Sequence, residues 1–177
     1  MSRILASLAV ADLVLWVGSG ALGFLVHDDG GYARHFILAL FTSLLTVFIH
    51  AVVLTYFSAS GRMISQAVFI GHLAGATLDQ VRVNKSRVVR WIGVGVSAVV
   101  VNVAFGALTA RDSTWHVFHV FTSMIGMFAN AAAFWVIFGA VCDQSNLMRS
   151  VFSQYQDQRT QIRQGDVFPA RESPEND

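Results

Sequence analysis

The stretch of residues 35–57 constrains the fold more than any other part of the chain, because it holds no Asp, Glu, Lys or Arg. A helix needs about 20 apolar residues to cross the roughly 30 Å of hydrocarbon in a bilayer. Three other stretches approach or exceed that length, at 4–26, 91–110 and 115–141. The sequence therefore predicts an all-α, integral membrane four-helix bundle.

The composition supports a membrane protein and excludes other classes. Of the 177 residues, 54% are hydrophobic and 13% are charged, whereas a soluble domain carries roughly 25% charged residues. Cys142 is the only cysteine, so an internal disulfide and a two-cysteine metal or redox motif are excluded. The formal net charge of +1 gives no indication of nucleic-acid binding.

The distribution of Arg and Lys predicts the topology. Of the 12 Lys and Arg residues, all but Arg34 and Arg111 fall at the N-terminus, in segment 58–90 or after the fourth span. Cytoplasmic segments of membrane proteins carry an excess of these residues. We therefore expect both termini in the cytoplasm, and the protein in a bacterial inner (cytoplasmic) membrane.

Two segments outside the spans have apolar residues at helical spacing. In the cytoplasmic loop 58–90, Met63, Ile64 and Val68 predict an amphipathic helix at or just under the inner membrane surface. The pattern of residues 145–163 predicts that the fourth helix continues into the cytoplasm. Its apolar stripe requires a partner, which could be the helix of loop 58–90, the membrane surface or another subunit.

The spans are closely spaced, so we expect a single domain over residues 1–164. The remaining stretch, 165–177, contains two prolines and four acidic residues. Such a composition cannot bury enough apolar surface to fold, and it predicts a disordered tail.

Each span carries one face of small and polar residues, which includes Asp12 in the first, Asn102 in the third and Asn130 in the fourth. Hydrocarbon cannot satisfy such groups, so these faces are expected to meet inside the bundle. We expect Asn102 and Asn130 to form hydrogen bonds between helices, which contribute roughly 0.6–2 kcal/mol each in membranes.

Three histidines belong to an outer layer, near the face opposite the cytoplasm. His35 begins the second span, while His116 and His119 lie one helical turn apart at the start of the fourth, and His27 is close by in the first loop. Imidazoles gathered in this way suit a b-type haem held by His35 with His119 or His116, or a copper or zinc ion held by all three. In a third interpretation they hydrogen-bond only water, headgroups and loop carbonyls.

Asp12 and His50 belong to an inner layer. Both lie about 10–12 Å from the cytoplasmic ends of their spans at 1.5 Å per residue. A carboxyl group and an imidazole at one depth can share a proton or form an ion pair. This polar pair predicts either a proton-linked or quinone-proximal site or a structural contact between the first two helices.

His35 and His50 are separated by fourteen residues, and this spacing resembles the one with which helices of di-haem cytochromes b stack two haems. The resemblance covers this spacing alone. The fourth span departs from the pattern, since residues 131–134 would have to supply an inner ligand and contain no histidine. The resemblance therefore implies at most one haem, in the outer layer.

Three functions follow as hypotheses. The first is a small membrane subunit of an electron-transfer or other energy-converting complex, with one b-type haem. The second is a cofactor-free structural or assembly subunit, which binds other membrane proteins or a second copy of itself. The third is a small proton-linked transporter using Asp12 and His50. The sequence has no nucleotide-binding motif and no nucleophile arrangement, so we expect no catalytic activity from this chain alone.

Overall fold

The computed structural model describes residues 2–26, 29–71 and 75–165. Within these ranges the chain is all-helical and forms no β-strand. The tail expected at 165–177 lies outside the described residues, apart from Gly165, which ends the last helix. The helices of the described part are α1 (Ser2–Phe24), α2 (Asp29–Ile70), α3 (Ala76–Arg111) and α4 (His116–Gly165), and a short 3-10 helix (Ser113–Trp115) precedes α4.

All four α-helices contain a stretch long and apolar enough to cross a membrane. Large apolar side chains lie on the outside of these helices, and Phe128 and Trp135 are 65% and 82% exposed. Exposed apolar surface of this extent is uncommon on soluble monomers and is typical of helices that face lipid. The fold is thus that of a helical membrane protein.

The helices pack as a bundle in which α2 and α4 contact each other across the centre. α1 and α3 each pack against both α2 and α4, but in the described part of the chain no Cα atom of α1 lies within 8 Å of one of α3. α1 and α3 are therefore on opposite sides of the contact between α2 and α4.

α2 and α3 extend well beyond the predicted spans. The segment 58–90, expected as a loop with a helix on the membrane surface, is instead a helical hairpin, because α2 runs unbroken to Ile70 and α3 begins at Ala76. Gly61 explains part of this close pairing, since a Cβ there would lie 3.3 Å from Val81 Cγ1. The segment packs against other helices rather than lying alone on the bilayer.

A second hydrophobic core, here called the extension core, joins this hairpin to the end of α4. It is built from Ile64, Ala67, Val68, Val81 and Val151, with Leu78, Leu147 and Met148 around them. The apolar stripe of 145–163 therefore has the hairpin as its partner, which was the first of the three alternatives.

A buried polar layer separates the extension core from the larger core inside the spans. Ser60, Asn84 and Gln144 are 3%, 3% and 0% exposed, one from each of three helices. The Gln144 amide donates to Ser60 Oγ over 3.2 Å. This hydrogen bond aligns α4 with α2, whereas among the described residues Asn84 Nδ2 of α3 and Gln144 Oε1 have no hydrogen-bond partner.

The connection between α3 and α4 is short and capped. Asp112 adopts an extended backbone conformation (φ −149°, ψ 119°), and its carboxylate accepts a hydrogen bond from the Thr114 backbone N–H. That hydrogen bond holds the pKa of the Asp112 carboxyl group below its usual value. The cap sets the start of α4, and with it the position of the histidines that follow.

The two ends of the bundle differ in packing. Among the described residues, no side chain is buried on the outer side of Ser19 in α1, Thr42 in α2, Val99 in α3 and Gly126 in α4. The inner part has a continuous core that includes Ile49, all of whose surface is covered. The outer third of the bundle is therefore the more open end.

Candidate functional site

Two histidines face each other in the outer layer of the bundle. The ring centroids of His35 on α2 and His119 on α4 are 6.2 Å apart, and the ring planes make an angle of 71°. The two imidazoles belong to the two helices that meet at the centre of the bundle, α2 and α4.

The hydrogen bond of His35 defines which ring nitrogen is free. Its Nδ1 lies 2.9 Å from the backbone carbonyl oxygen of Ser19 on α1. A carbonyl oxygen only accepts, so Nδ1 carries the proton and donates it, which leaves the lone pair on Nε2. Metal-binding histidines commonly donate their second nitrogen to a backbone carbonyl in this way, which orients the ring.

The ring of His119 lies against α3 in a closely similar position. Each ring lies against a glycine of the neighbouring helix, His35 against Gly23 and His119 against Gly106. The two rings differ in hydrogen bonding, since among the described residues the buried Nδ1 of His119 has no partner.

Gly23 and Gly106 make this close approach possible. A Cβ on Gly23 would lie 3.0 Å from Cε1 of His35, and a Cβ on Gly106 would lie 3.0 Å from Cε1 of His119. Few real Cβ atoms have neighbours at that distance. Nothing in the sequence connects these two glycines with particular histidines.

Asn102 also fixes α4 next to His119. Its Oδ1 accepts hydrogen bonds from Ser123 Oγ at 2.7 Å and from Thr122 Oγ1 at 3.4 Å. The expectation that Asn102 bonds between helices is confirmed by these contacts. They anchor the turn of α4 that follows His119.

His116 does not join the pair. It is exposed at the first position of α4, and the described residues contain no group of three or more His, Cys, Asp or Glu that could hold a metal ion. Among the described residues the three-histidine metal site of His35, His116 and His119 is thus not assembled, and the His116 side chain is exposed at the start of α4. His27 lies outside the described residues.

The separation of the two rings fits a metal ion held between them. A metal–imidazole nitrogen bond is about 2 Å long, as measured for zinc. Each nitrogen lies roughly 1 Å from the centre of a five-membered ring with sides of about 1.33 Å. Two opposed imidazoles on one metal therefore have centroids about 6 Å apart, close to the 6.2 Å between His35 and His119.

The inner layer has a different organisation, and its first group is Asp12. The Asp12 side chain is fully buried, and Thr46 Oγ1 lies 2.9 and 3.0 Å from its two carboxyl oxygens. Thr46 Oγ1 also lies 2.9 Å from the Thr42 carbonyl oxygen and accepts from Trp16 Nε1 at 3.2 Å. A carboxylic acid O–H donating to Thr46, with Thr46 donating to Thr42, would satisfy the whole set.

The second inner group is His50, which is 1% exposed. The Asn130 amide nitrogen donates to the Gly126 carbonyl, so Oδ1 of Asn130 accepts from His50 Nε2, at 3.2 Å. Within the described ranges, the His50 Nδ1 has no hydrogen-bond partner. Gly95 allows the assembly, because a Cβ there would clash with both His50 and Asn130.

These contacts correct one prediction and explain another. Asp12 and His50 do not form a pair: no hydrogen bond or ion pair joins them among the described residues, since Asp12 bonds Thr46 and His50 bonds Asn130. The ring of Phe134 lies 5.4 Å from that of His50. Phe134 stands where an inner haem ligand would be needed, as the departure from the di-haem pattern implied.

Comparison of the chain with protein-family models, with curated proteins and with solved structures finds no match. The functional argument therefore depends on the geometry of the two layers.

Proposed function

We propose that this protein is a small membrane subunit of an electron-transfer or other energy-converting complex, and that His35 and His119 bind one b-type haem near its outer face. The observation that carries the proposal is the pair of opposed imidazoles, 6.2 Å apart between centroids. Two histidines can also lie this close because their rings simply pack together. Three other features of the site favour metal binding over such packing.

Three features favour a ligand role for this pair. The His35 Nδ1 donates to Ser19 O, which leaves Nε2 free to bind a metal. Gly23 and Gly106 admit the rings against the helix backbones. The outer third of the bundle has no buried side chain in the described residues, whereas a bundle without a cofactor fills its centre with side chains.

The chain would supply orientation and environment rather than reaction chemistry. A haem with two imidazole ligands carries single electrons, at a potential set by its ligands, their hydrogen bonds and the exposure of the site. Here Ser19 O orients the His35 ring, and Asn102 with Ser123 holds the turn that carries His119. The proposed role of the chain is therefore that of an electron carrier or anchor within a complex.

The proposal includes a topology. With both termini and the extension core in the cytoplasm, the basic residues Arg62, Arg82 and Lys85 are cytoplasmic, as membrane proteins favour. A bacterial inner membrane is the proposed location. The exposed surface of the extension would then bind other subunits, or a second copy of the chain.

The proposal is tested by purifying the protein in detergent, supplying haem and recording oxidised and reduced spectra. Wild type is expected to give the sharp reduced α band of low-spin haem, and His35→Ala and His119→Ala are expected to lose it. His116→Ala is the matched control, because it removes a histidine that is exposed at the rim, and it should keep the band. Wild type that shows no haem band would contradict the proposal.

One specific observation favours the proton-linked alternative. Asp12 is fully buried, and within the described residues no cation lies within ion-pairing distance of it. Buried carboxyl groups in membranes commonly mark proton pathways. If Asp12→Asn abolishes proton-coupled flux in proteoliposomes while His119→Ala does not, the transporter interpretation replaces the haem proposal.

A further inference from the structure

The polar layer between the two cores contains two buried amide atoms that require a partner. Asn84 and Gln144 are 3% and 0% exposed, and among the described residues Asn84 Nδ2 and Gln144 Oε1 form no hydrogen bond. The third member, Ser60, is satisfied, because its hydroxyl group donates to the Tyr56 carbonyl oxygen at 2.7 Å and accepts from Gln144 Nε2. Burying an amide atom without a hydrogen bond is costly, so both amides point to a ligand between them.

The packing of α2, α3 and α4 brings the three polar side chains to one level. On each helix the polar residue lies three or four positions from a residue of the larger core and from one of the extension core, and therefore on the same face. These neighbours are Phe57 and Ile64 for Ser60, Val88 and Val81 for Asn84, and Val141 and Leu147 for Gln144. Beside the layer, Arg87 Nη1 lies 3.7 Å from Asp143 Oδ2, which confirms that α3 and α4 are aligned here.

The layer also has room for a small molecule. Ser60 and Asn84 are smaller than the Phe, Ile and Leu side chains of the layers on both sides, and those larger side chains set the spacing of the helices. No direct hydrogen bond joins Asn84 Nδ2 to Gln144 Oε1 in the structure. Polar groups that face each other beyond hydrogen-bond range are commonly joined through a water molecule.

The chemistry of the two atoms selects a neutral ligand that both donates and accepts. Asn84 Nδ2 is a donor, Gln144 Oε1 is an acceptor, and neither carries a charge. A cation requires several oxygen ligands, whereas Gln144 Oε1 is the single buried side-chain oxygen without a partner in the described part of this layer. An anion would leave that oxygen unpaired.

We propose that a water molecule is bound in this layer, where it accepts a hydrogen bond from Asn84 Nδ2 and donates one to Gln144 Oε1. Buried waters in proteins typically bridge polar groups that would otherwise be unsatisfied. Through this water, α3 joins the hydrogen-bonded pair of Gln144 and Ser60, so that one layer connects three helices where the spans meet the extension core. The site is separate from the histidine layers and does not depend on the proposed function.

Solid-state NMR of the full chain in bilayers tests the site, with magnetisation transferred from water protons to side-chain amides at mixing times too short for chemical exchange. In wild type, the Asn84 side-chain amide should receive water magnetisation although it is buried. Gln144→Met removes the acceptor at nearly constant side-chain length and should abolish the transfer. Gln80→Met is the matched control, because Gln80 is exposed on α3 one turn before Asn84, and it should leave the transfer unchanged.

A wild-type Asn84 amide that receives no water magnetisation would overturn the proposal, and a contact between that amide and the Gln144 side-chain carbonyl would show that the two bond directly. Full transfer in Gln144→Met would overturn it as well, since Gln144 would then not hold the water. The wild-type measurement decides the first point even where a variant does not fold.

Thermal unfolding supplies a second measurement, with Asn84→Leu, Gln144→Met and the double variant. Each single change breaks the same bridge and leaves one buried amide atom unpaired. The midpoint should therefore fall less in the double variant than the two single losses predict together. Additive losses would contradict a shared water.

Discussion

The outer and inner layers of this bundle use the same kind of residues in opposite ways. Each layer has a histidine of α2 that meets a residue of α4. In the inner layer, His50 donates through Nε2 to Asn130 and is almost fully buried. In the outer layer, His35 donates through Nδ1 to a backbone carbonyl, and its ring lies next to the ring of His119.

The difference teaches that the role of a histidine in a membrane helix depends on the partners of its ring rather than on its depth. His50 uses Nε2 to connect α2 with Asn130 of α4, and its ring packs beside Phe134 rather than beside another imidazole. Where Nδ1 is used and a second imidazole stands opposite, the ring is available to a metal. Four predictions test this contrast, from the largest expected effect to the smallest.

The largest effect is expected from exchanging the two histidines of α2 for leucine. His35→Leu should abolish haem binding and leave the fold intact, because His35 is only partly buried. His50→Leu should retain haem but lower stability, because it leaves the buried Asn130 Oδ1 without its donor, a loss of about 1–3 kcal/mol. Haem content and thermal unfolding of both variants are the measurements.

A loss of haem in His50→Leu at unchanged stability would remove the distinction between the layers. It would place His50 among the ligands and require the inner contacts with Asn130 to rearrange.

Gly95→Ala is expected to destabilise the inner layer by about 1–3 kcal/mol, as overpacking does. The added methyl group would clash with His50 and Asn130. Gly93→Ala is the control on the same helix, since a Cβ there meets nothing within 4 Å. It should raise stability by up to about 1 kcal/mol through helix propensity.

The midpoint of thermal unfolding in detergent measures both glycine variants. Equal midpoints would show that His50 and Asn130 do not pack against α3 at Gly95.

Thr46→Val is expected to cost about 1–2 kcal/mol, because Asp12 and Trp16 both lose their buried partner. Thr46→Ser keeps the hydroxyl group and should cost less. Chemical unfolding measures the difference, and the haem spectrum should stay that of wild type in both. A changed spectrum would mean that the inner layer reaches the outer site.

The smallest effect is expected at the outer glycines. Gly23→Ala or Gly106→Ala should displace the adjacent imidazole by a few tenths of an ångström and weaken haem binding by about tenfold, as changes around metal ligands do. Gly20→Ala is the control, since its Cβ would meet nothing within 4 Å. Titration with haem measures the three affinities, and an equal affinity in all would place the rings elsewhere.

The sequence predicted the all-helical bundle well because uncharged stretches of spanning length have few alternatives. It could not predict that α2 continues through residues 58–70, since a helix on the membrane surface and one packed in a bundle have the same apolar spacing. The pattern predicts an apolar face on this segment, but it does not show which residues cover that face. In the structure, Val81 of α3 and Val151 of α4 pack against it.

The candidate site was predicted less evenly. The depths estimated from the sequence put His35 and His119 in one layer, and the structure places their rings next to each other. The estimated depths also put Asp12 and His50 in one layer. In the structure, however, Asp12 is hydrogen-bonded to Thr46, which lies one turn away from His50 on α2. Spacing along a helix gives depth to within a turn, whereas a hydrogen bond also depends on rotation of each helix about its axis.

The most direct test of the central claim is electron paramagnetic resonance of the oxidised wild-type protein in bilayers, with haem quantified on the same sample. We predict one low-spin ferric haem per chain, the state that two imidazole ligands produce, and its conversion to high spin or its loss in His119→Ala. A protein that binds no haem, or a low-spin signal that persists without His119, would contradict the account.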